Sequence, residues 1–213
     1  MRAVVAVIGA TLAGCHSDRP AITGHGVREP ALDEAFHQDV RWLGADGAFT
    51  IDLGDGRVLW LFGDSFIATS DAHVRSEATL VRNSVAVMTG TDLATATLTF
   101  AWNDTSPPDS FFAQDADRWF WPADGTRLPQ GPLLVFLDEQ QATPGQGLGF
   151  SPTGYRAVRV VDPSGPAASW TIEPVATVPA PHDPTATVAC SVVDGDQLVA
   201  LITDTDAHHG RLA

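Results

Sequence analysis

The chain uses one phrase twice, and that repetition constrains its fold more than any other feature of its 213 residues. Gly44-Ala45-Asp46-Gly47 precedes a short alternating run, a Gly54-Asp55-Gly56 turn and the apolar run Val58-Leu59-Trp60-Leu61-Phe62. Pro122-Ala123-Asp124-Gly125 precedes Thr126-Arg127-Leu128, a Gln130-Gly131 turn and Leu133-Leu134-Val135-Phe136-Leu137. A looser third copy starts at His182-Asp183-Pro184 and passes through the turn Asp194-Gly195 to Leu198–Ile202. Units recurring in this way point to a repeat architecture. They also carry a functional corollary. An acidic residue at one place in each unit becomes a cluster if the units fan around an axis.

Most of the chain alternates, or runs apolar in short stretches, between turn signals, as strands do. The first unit offers strands at Ala48–Leu53, Arg57–Phe62, Arg82–Met88 and Ala96–Trp102, the first two joined as a hairpin. The second offers Gly125–Leu128, Pro132–Leu137, Tyr155–Val161 and Ser169–Val175. The third offers Thr185–Val193 and Gln197–Thr203. One short helix is expected over Ala31–His37, which follows Pro30 and carries Asp33 and Glu34 early. Four antiparallel strands per unit, repeated, describe a blade of a β-propeller. A β-sandwich would also show many short strands, and the repeated phrase favours the propeller. The expected fold class is therefore all-β, an incomplete β-propeller of roughly two and a half four-stranded blades. Insertions are expected in the loops Asp104–Asp117 and Gln140–Gly154. Ending on Gln197–Thr203 would expose an apolar edge strand, so the sequence reads as part of a longer propeller or one completed by a partner.

The N-terminus reads as an address. Arg2 and the apolar stretch Ala3–Leu12 lead to Leu12-Ala13-Gly14-Cys15. The stretch is too short to span a bilayer, which needs about 20 apolar residues, and suits a signal peptide. The tetrapeptide resembles a bacterial lipobox, which implies lipidation of Cys15. Residues 1–15 are then a signal, 16–40 a polar tether with the short helix, and 41–213 the partial propeller. His16 after the cysteine resembles outer-membrane sorting in Gram-negative lipoproteins. The net charge of −14, with every one of the 12 basic residues an arginine, argues against nucleic acid or an anionic membrane surface as partner. The membrane is then reached through lipid alone.

Four segments carry a family resemblance: Gly44-Ala45-Asp46-Gly47, Leu59-Trp60-Leu61-Phe62-Gly63-Asp64-Ser65, Val81-Arg82-Asn83-Ser84 and Phe120-Trp121-Pro122-Ala123-Asp124-Gly125. Together they resemble a bacterial family of secreted five-bladed β-propellers without a settled activity. That family is itself similar to arabinanase- and furanosidase-type glycoside hydrolases. The resemblance covers about Trp42 to Asp204, and the family's full domain is longer.

Strand direction places candidate residues at one rim. Asp46 precedes the first strand and Asp64 follows the second, so both lie at the same end of the unit. Arg82 and Asn83 begin the third strand there. The same logic puts Asp124, Asp138, Glu139, Tyr155 and Arg156 at that rim of the second unit, with Asp183 and Asp204 as loose third-unit counterparts. Carboxylate pairs are the machinery of glycoside hydrolysis, and crowded like charges raise one pKa and create the acid. The expected acidic residues are Asp46, Asp64 and Asp124. The expected substrate-binding residues are Arg82, Asn83, Trp121 and Glu139, with Trp119 a further flat face. Each has a structural reading beside it. Asp-Gly is a turn signal, Asp64 before Ser65 suits a loop cap, Arg82 suits a structural ion pair, and the tryptophans suit a core. In the related hydrolases the general acid is a glutamate of the third blade. This chain has no glutamate after Glu173, which leaves a non-catalytic carbohydrate- or protein-binding surface lipoprotein, or a non-functional remnant, as alternatives. A glycan is the expected ligand, and no cofactor or metal is expected. An axial calcium is compatible with a ring of carboxylates. His208-His209 point opposite ways along a strand and lack a third ligand. Cys190, within Val188-Ala189-Cys190-Ser191-Val192, is expected to be a small buried core residue.

Overall fold

Residues 2–3, 28–92, 94–114, 117–129, 131–176, 186–195 and 197–203 are described by a computed structural model. Apart from one short helix and two 3₁₀ turns, its regular elements are strands. After β1 (Arg2–Ala3) and α1 (Pro30–Ala35), the first unit comprises β2 (Trp42–Ala45), β3 (Phe49–Gly54), β4 (Arg57–Phe62), β5 (Ser65–Ala68), β6 (Ala78–Val81), β7 (Ser84–Thr89) and β8 (Thr97–Ala101). The second comprises β9 (Arg118–Arg127), β10 (Leu133–Ala142), β11 (Phe150–Val160) and β12 (Ile172–Pro174). The third comprises β13 (Thr187–Asp194) and β14 (Gln197–Thr203).

Two sheets have four antiparallel strands, in the orders β3-β4-β7-β8 and β9-β10-β11-β12. These are the blades expected from the repeat. Asp55 and Gly56 turn the first hairpin, both with positive φ. Asp-Gly is the sequence that adopts such a turn at low cost, and its twist matches the flanking strands. β13 pairs antiparallel with β14, and β1 runs parallel to β14.

The sheets stack face to face. Along β10, Leu133, Val135 and Leu137 join Ile51, Leu59, Leu61 and Val85 of the first sheet in one core. The intervening Leu134 and Phe136 join Val188 and Ala200 of the third sheet in another. The middle sheet is thus buried on both faces, which is why β10 reads as a continuous apolar run. Each such buried side chain contributes about 1.5–3 kcal/mol. Gly125 permits a close approach to Ile51 of the first sheet and to its own neighbour strand. A Cβ there would sit 2.5 Å from both Ile51 Cδ1 and the Leu134 carbonyl oxygen. On the far side of the first sheet, Ala35 and Phe36 pack with Trp42, Phe62 and Phe100. Gln38 ties this end down, bonding the Ala96 carbonyl and the Leu98 amide. The arrangement is that of consecutive propeller blades, and the described sheets do not close into a ring.

Several boundaries differ from expectation. The helix ends at Ala35. β9 begins at Arg118, seven residues before the expected Gly125, because aromatic residues on both faces keep the strand going. β10 and β11 extend into the expected Gln140–Gly154 loop. The three short strands β2, β5 and β6 form a separate sheet, ordered β2-β5-β6, that the sequence reading lacks. Cys190 is exposed rather than core. A register shift between Val188 and Cys190 turns it away from the neighbouring sheet.

Candidate functional site

Three strand paths of the first unit break at one level. Asp46-Gly47 separates β2 from β3, Gly63-Asp64 separates β4 from β5, and Arg82-Asn83 separates β6 from β7. The breaks are stitched together by the backbone. Asp46 N–H donates to the Asp64 carbonyl at 3.1 Å, and Gly63 N–H donates to the Asp46 carbonyl at 2.9 Å. The seam between the two sheets therefore gathers Asp46, Asp64 and Arg82, as strand direction predicts. The second sheet runs through without a break, with register shifts near Phe136/Leu137 and Glu139/Gln140.

Asp64 is the most constrained acid of the seam. Its Oδ1 accepts the Trp121 indole N–H at 2.8 Å. Its Oδ2 lies 3.1 Å from the Arg82 guanidinium. Arg82 in turn rests 4.3 Å above the centroid of Trp119, a cation–π contact. Trp119 and Trp121, alternate positions of β9 separated by Phe120, thus serve one ion pair, Asp64 with Arg82.

Asp46 is exposed as a residue, but its carboxyl folds back over Gly63, where any Cβ would fall on Asp46 Oδ1. Its pKa is raised, first by this partial loss of water and second by the charge of Asp64, while backbone N–H groups pull the other way. The seam thus holds one carboxyl among fixed donors and a neighbour whose pKa is raised.

Asp124 does not share this environment. It lies within β9 opposite Phe136, and its Oδ2 accepts from the Ser191 amide and, at 2.8 Å, from the Ser191 hydroxyl. It ties the second sheet to the third and so departs from the expected acidic trio. The repeated phrase supplies a turn in one unit and a strand interior in the other. Asn83 also departs from its expected role. It is fully buried, and its amide binds the backbone of Phe112 on both sides and the Phe120 carbonyl. That makes it a brace for the loop after β8. Glu139 is buried between Arg118 and Arg156, each at 2.5 Å, with Thr153 donating to it at 3.1 Å. It anchors two arginines rather than facing a ligand. Trp121 is half-buried and edge-on to Phe150.

Asp138 has a separate fate. Burial pushes its pKa to about 7, while the Val188 amide bond opposes the shift. Like Asp124, it faces β13. Among the described residues no group of three or more His, Cys, Asp or Glu side chains is placed to hold a metal ion. No described helix is long and apolar enough to cross a membrane. Cys15, Asp183, Asp204 and His208-His209 lie outside the described residues.

Residues 29–178 match the family described as Domain of unknown function (DUF5005). The chain belongs to that family. The DUF5005 chain is similar in fold to the crystal structure of a putative hydrolase from Bacteroides ovatus, with a TM-score of 0.59. The two are 18% identical over 82% of this chain and 49% of that one, so this chain spans about half the length of that structure. No curated protein matches the sequence. At this identity the likeness establishes shared architecture.

Proposed function

We propose that this chain is part of an extracytoplasmic, lipid-anchored glycoside hydrolase-like propeller that acts on a glycan at the Asp46–Asp64 seam. The observation that carries the reading is the meeting of two acids at adjacent strand breaks, joined by the Asp46 N–H to Asp64 carbonyl bond. Asp46, with its raised pKa, is the proton donor to the leaving oxygen. Asp64, fixed by Arg82 and Trp121, is the partner that activates water or stabilises the developing positive charge. Pairs of titratable groups whose surroundings separate their roles are what acid–base chemistry at neutral pH requires. The likeness to a hydrolase fold and the sequence resemblance to arabinanase-type propellers support the same class. Lipid attachment at Cys15 rests on the lipobox, and loss of membrane fractionation in a Cys15→Ser form checks it.

The test is turnover of a panel of polysaccharides and aryl glycosides. Asp46→Asn and Asp64→Asn are each expected to lower kcat by about 100-fold or more. Full turnover in both variants rules the proposal out. A second reading, binding without turnover, is favoured by the commitment of both Asp64 oxygens to Arg82 and Trp121. Saturable glycan binding without product over long incubation distinguishes it.

A further inference from the structure

Arg82 uses only part of its guanidinium to hold the seam together. Its Nη1 reaches both oxygens of Asp64, at 3.1 and 3.4 Å, and its Cζ lies 4.3 Å from the centroid of Trp119. Trp119 is buried, and its own indole N–H has no partner among the described residues. Hydrogen bonding therefore does not account for the place of this ring, whereas carrying the guanidinium does. Nε and Nη2 of Arg82 bond to no described residue. Among the described residues the sealed, unpartnered side-chain atoms are the indole nitrogens of Trp60, Trp102 and Trp119, so Nε and Nη2 both reach water. They carry two N–H groups that run parallel along the edge of the planar group away from Nη1. The ion pair and the ring thus hold out a fixed, wet pair of donors on the same plate that grips Asp64.

We propose that this edge of Arg82 determines specificity at the seam by binding two neighbouring free hydroxyls of the sugar ring that sits at Asp46 and Asp64; it rests on the glycan reading above. The surroundings choose among the groups that such an edge can take. A carboxylate or phosphate fits two parallel N–H groups. Here it would meet Asp46 and Asp64 with one arginine among them, in a chain of net charge −14, and is repelled. An apolar group would strip water from charged donors and replace none of their hydrogen bonds, which is costly. Two adjacent sugar hydroxyls offer neutral acceptor oxygens side by side. Their own O–H groups can donate onward to Asp64 Oδ2, which accepts only from Arg82 among the described residues and so keeps a lone pair.

The test uses the Asp46→Asn chain, so that binding is read without turnover. The 4-nitrophenyl glycosides of arabinose, xylose, glucose and galactose are titrated calorimetrically. The tightest is compared with its singly deoxygenated forms, and the glucoside and galactoside with their uronides. Removing either hydroxyl of one adjacent pair is expected to weaken binding about 10- to 100-fold, and neither uronide to bind tighter than its neutral parent. Arg82→Lys, added to the same chain, keeps a cation beside Asp64 but lacks the parallel pair. It is expected to weaken the intact glycoside by a similar factor and to leave those two deoxygenated forms nearly unchanged. Equal weakening of intact and deoxygenated ligands means that Arg82 is structural, and overturns the inference while the seam proposal stands. So does a series in which no deoxygenation costs about threefold, or a uronide that binds about tenfold tighter. If the lysine variant does not fold, the deoxygenation and uronide series decides alone. If none of the glycosides binds, the seam has no site for a single ring and this inference falls, while polysaccharide turnover still judges the seam proposal.

Discussion

At the scale of single residues, the seam works by contrast between like groups. Asp46 and Asp64 are both aspartates at strand ends, yet one is held by Arg82 and Trp121 and the other leans over Gly63 with less water around it. Because the charge of Asp64 is one of the two causes raising the Asp46 pKa, Asp64→Asn is expected to bring Asp46 back toward its ordinary value without fully restoring it. A carbon-detected NMR titration of the Asp46 carboxyl reads this directly, and no movement would remove the coupling from the mechanism. Asp138 gives a second residue-level prediction. Burial raises its pKa from near 3.8 to about 7. Between those values the folded chain keeps a proton that the unfolded chain has released. Stability is therefore full below about pH 4 and declines as pH rises toward 7, by a few kcal/mol in all. Asp138→Asn retains an oxygen for the Val188 amide and has no charge to lose. It is expected to flatten this part of the stability curve and to unfold at higher denaturant than wild type at pH 7.5. Chemical denaturation across the pH range checks both statements.

At the scale of elements, the first sheet is built so that its strand breaks coincide. That coincidence makes Asn83 the key brace. Its buried amide satisfies the Phe112 N–H and two carbonyls, of Phe112 and Phe120. Asn83→Ala would strand these groups away from water, at an expected cost of about 2–4 kcal/mol. Urea denaturation reads the loss, and a change below about 0.5 kcal/mol would show that the loop holds itself. The strands β4 and β14 stand where the residue pattern puts them, since tight turns and apolar alternation are local signals. β2, β5 and β6 escape that pattern because each is only four residues long. Their pairing is set by the continuation of longer neighbours, which no short window contains. β9 is misjudged at its start for a related reason. Trp119 and Trp121 read as platform or core residues until the facing Arg82 and Asp64 are in place.

At the scale of the whole molecule, successive sheets are joined by a few polar ties within large apolar interfaces. Asp124 with Ser191, and Asp138 with the Val188 amide, fasten the third sheet to the second. Asp124→Ala and Ser191→Ala are expected to be non-additive, with a coupling of about 1–2 kcal/mol. Hydrogen exchange should accelerate in β13 and β14 in either variant while protection in β4 and β7 is kept. Uniform acceleration throughout would mean that the sheets unfold as one unit. Stacked sheets also explain how distant residues form one seam. Trp121 is 57 positions from Asp64 in sequence, and only the packing of β9 against the first sheet brings its indole to that carboxylate.

The amino-acid sequence alone settled the all-β class, the repeat, the principal hairpins and the common end of Asp46, Asp64 and Arg82. Periodicity, turn chemistry and strand direction are properties of neighbouring residues. The tertiary structure decided which acids meet. Asp46 and Asp124 occur in nearly the same words, but the first falls at a strand break and the second inside a strand that faces another sheet. Local sequence gives both the same turn preference. Register and sheet packing then determine what each carboxylate touches, and those depend on residues that lie far away along the chain.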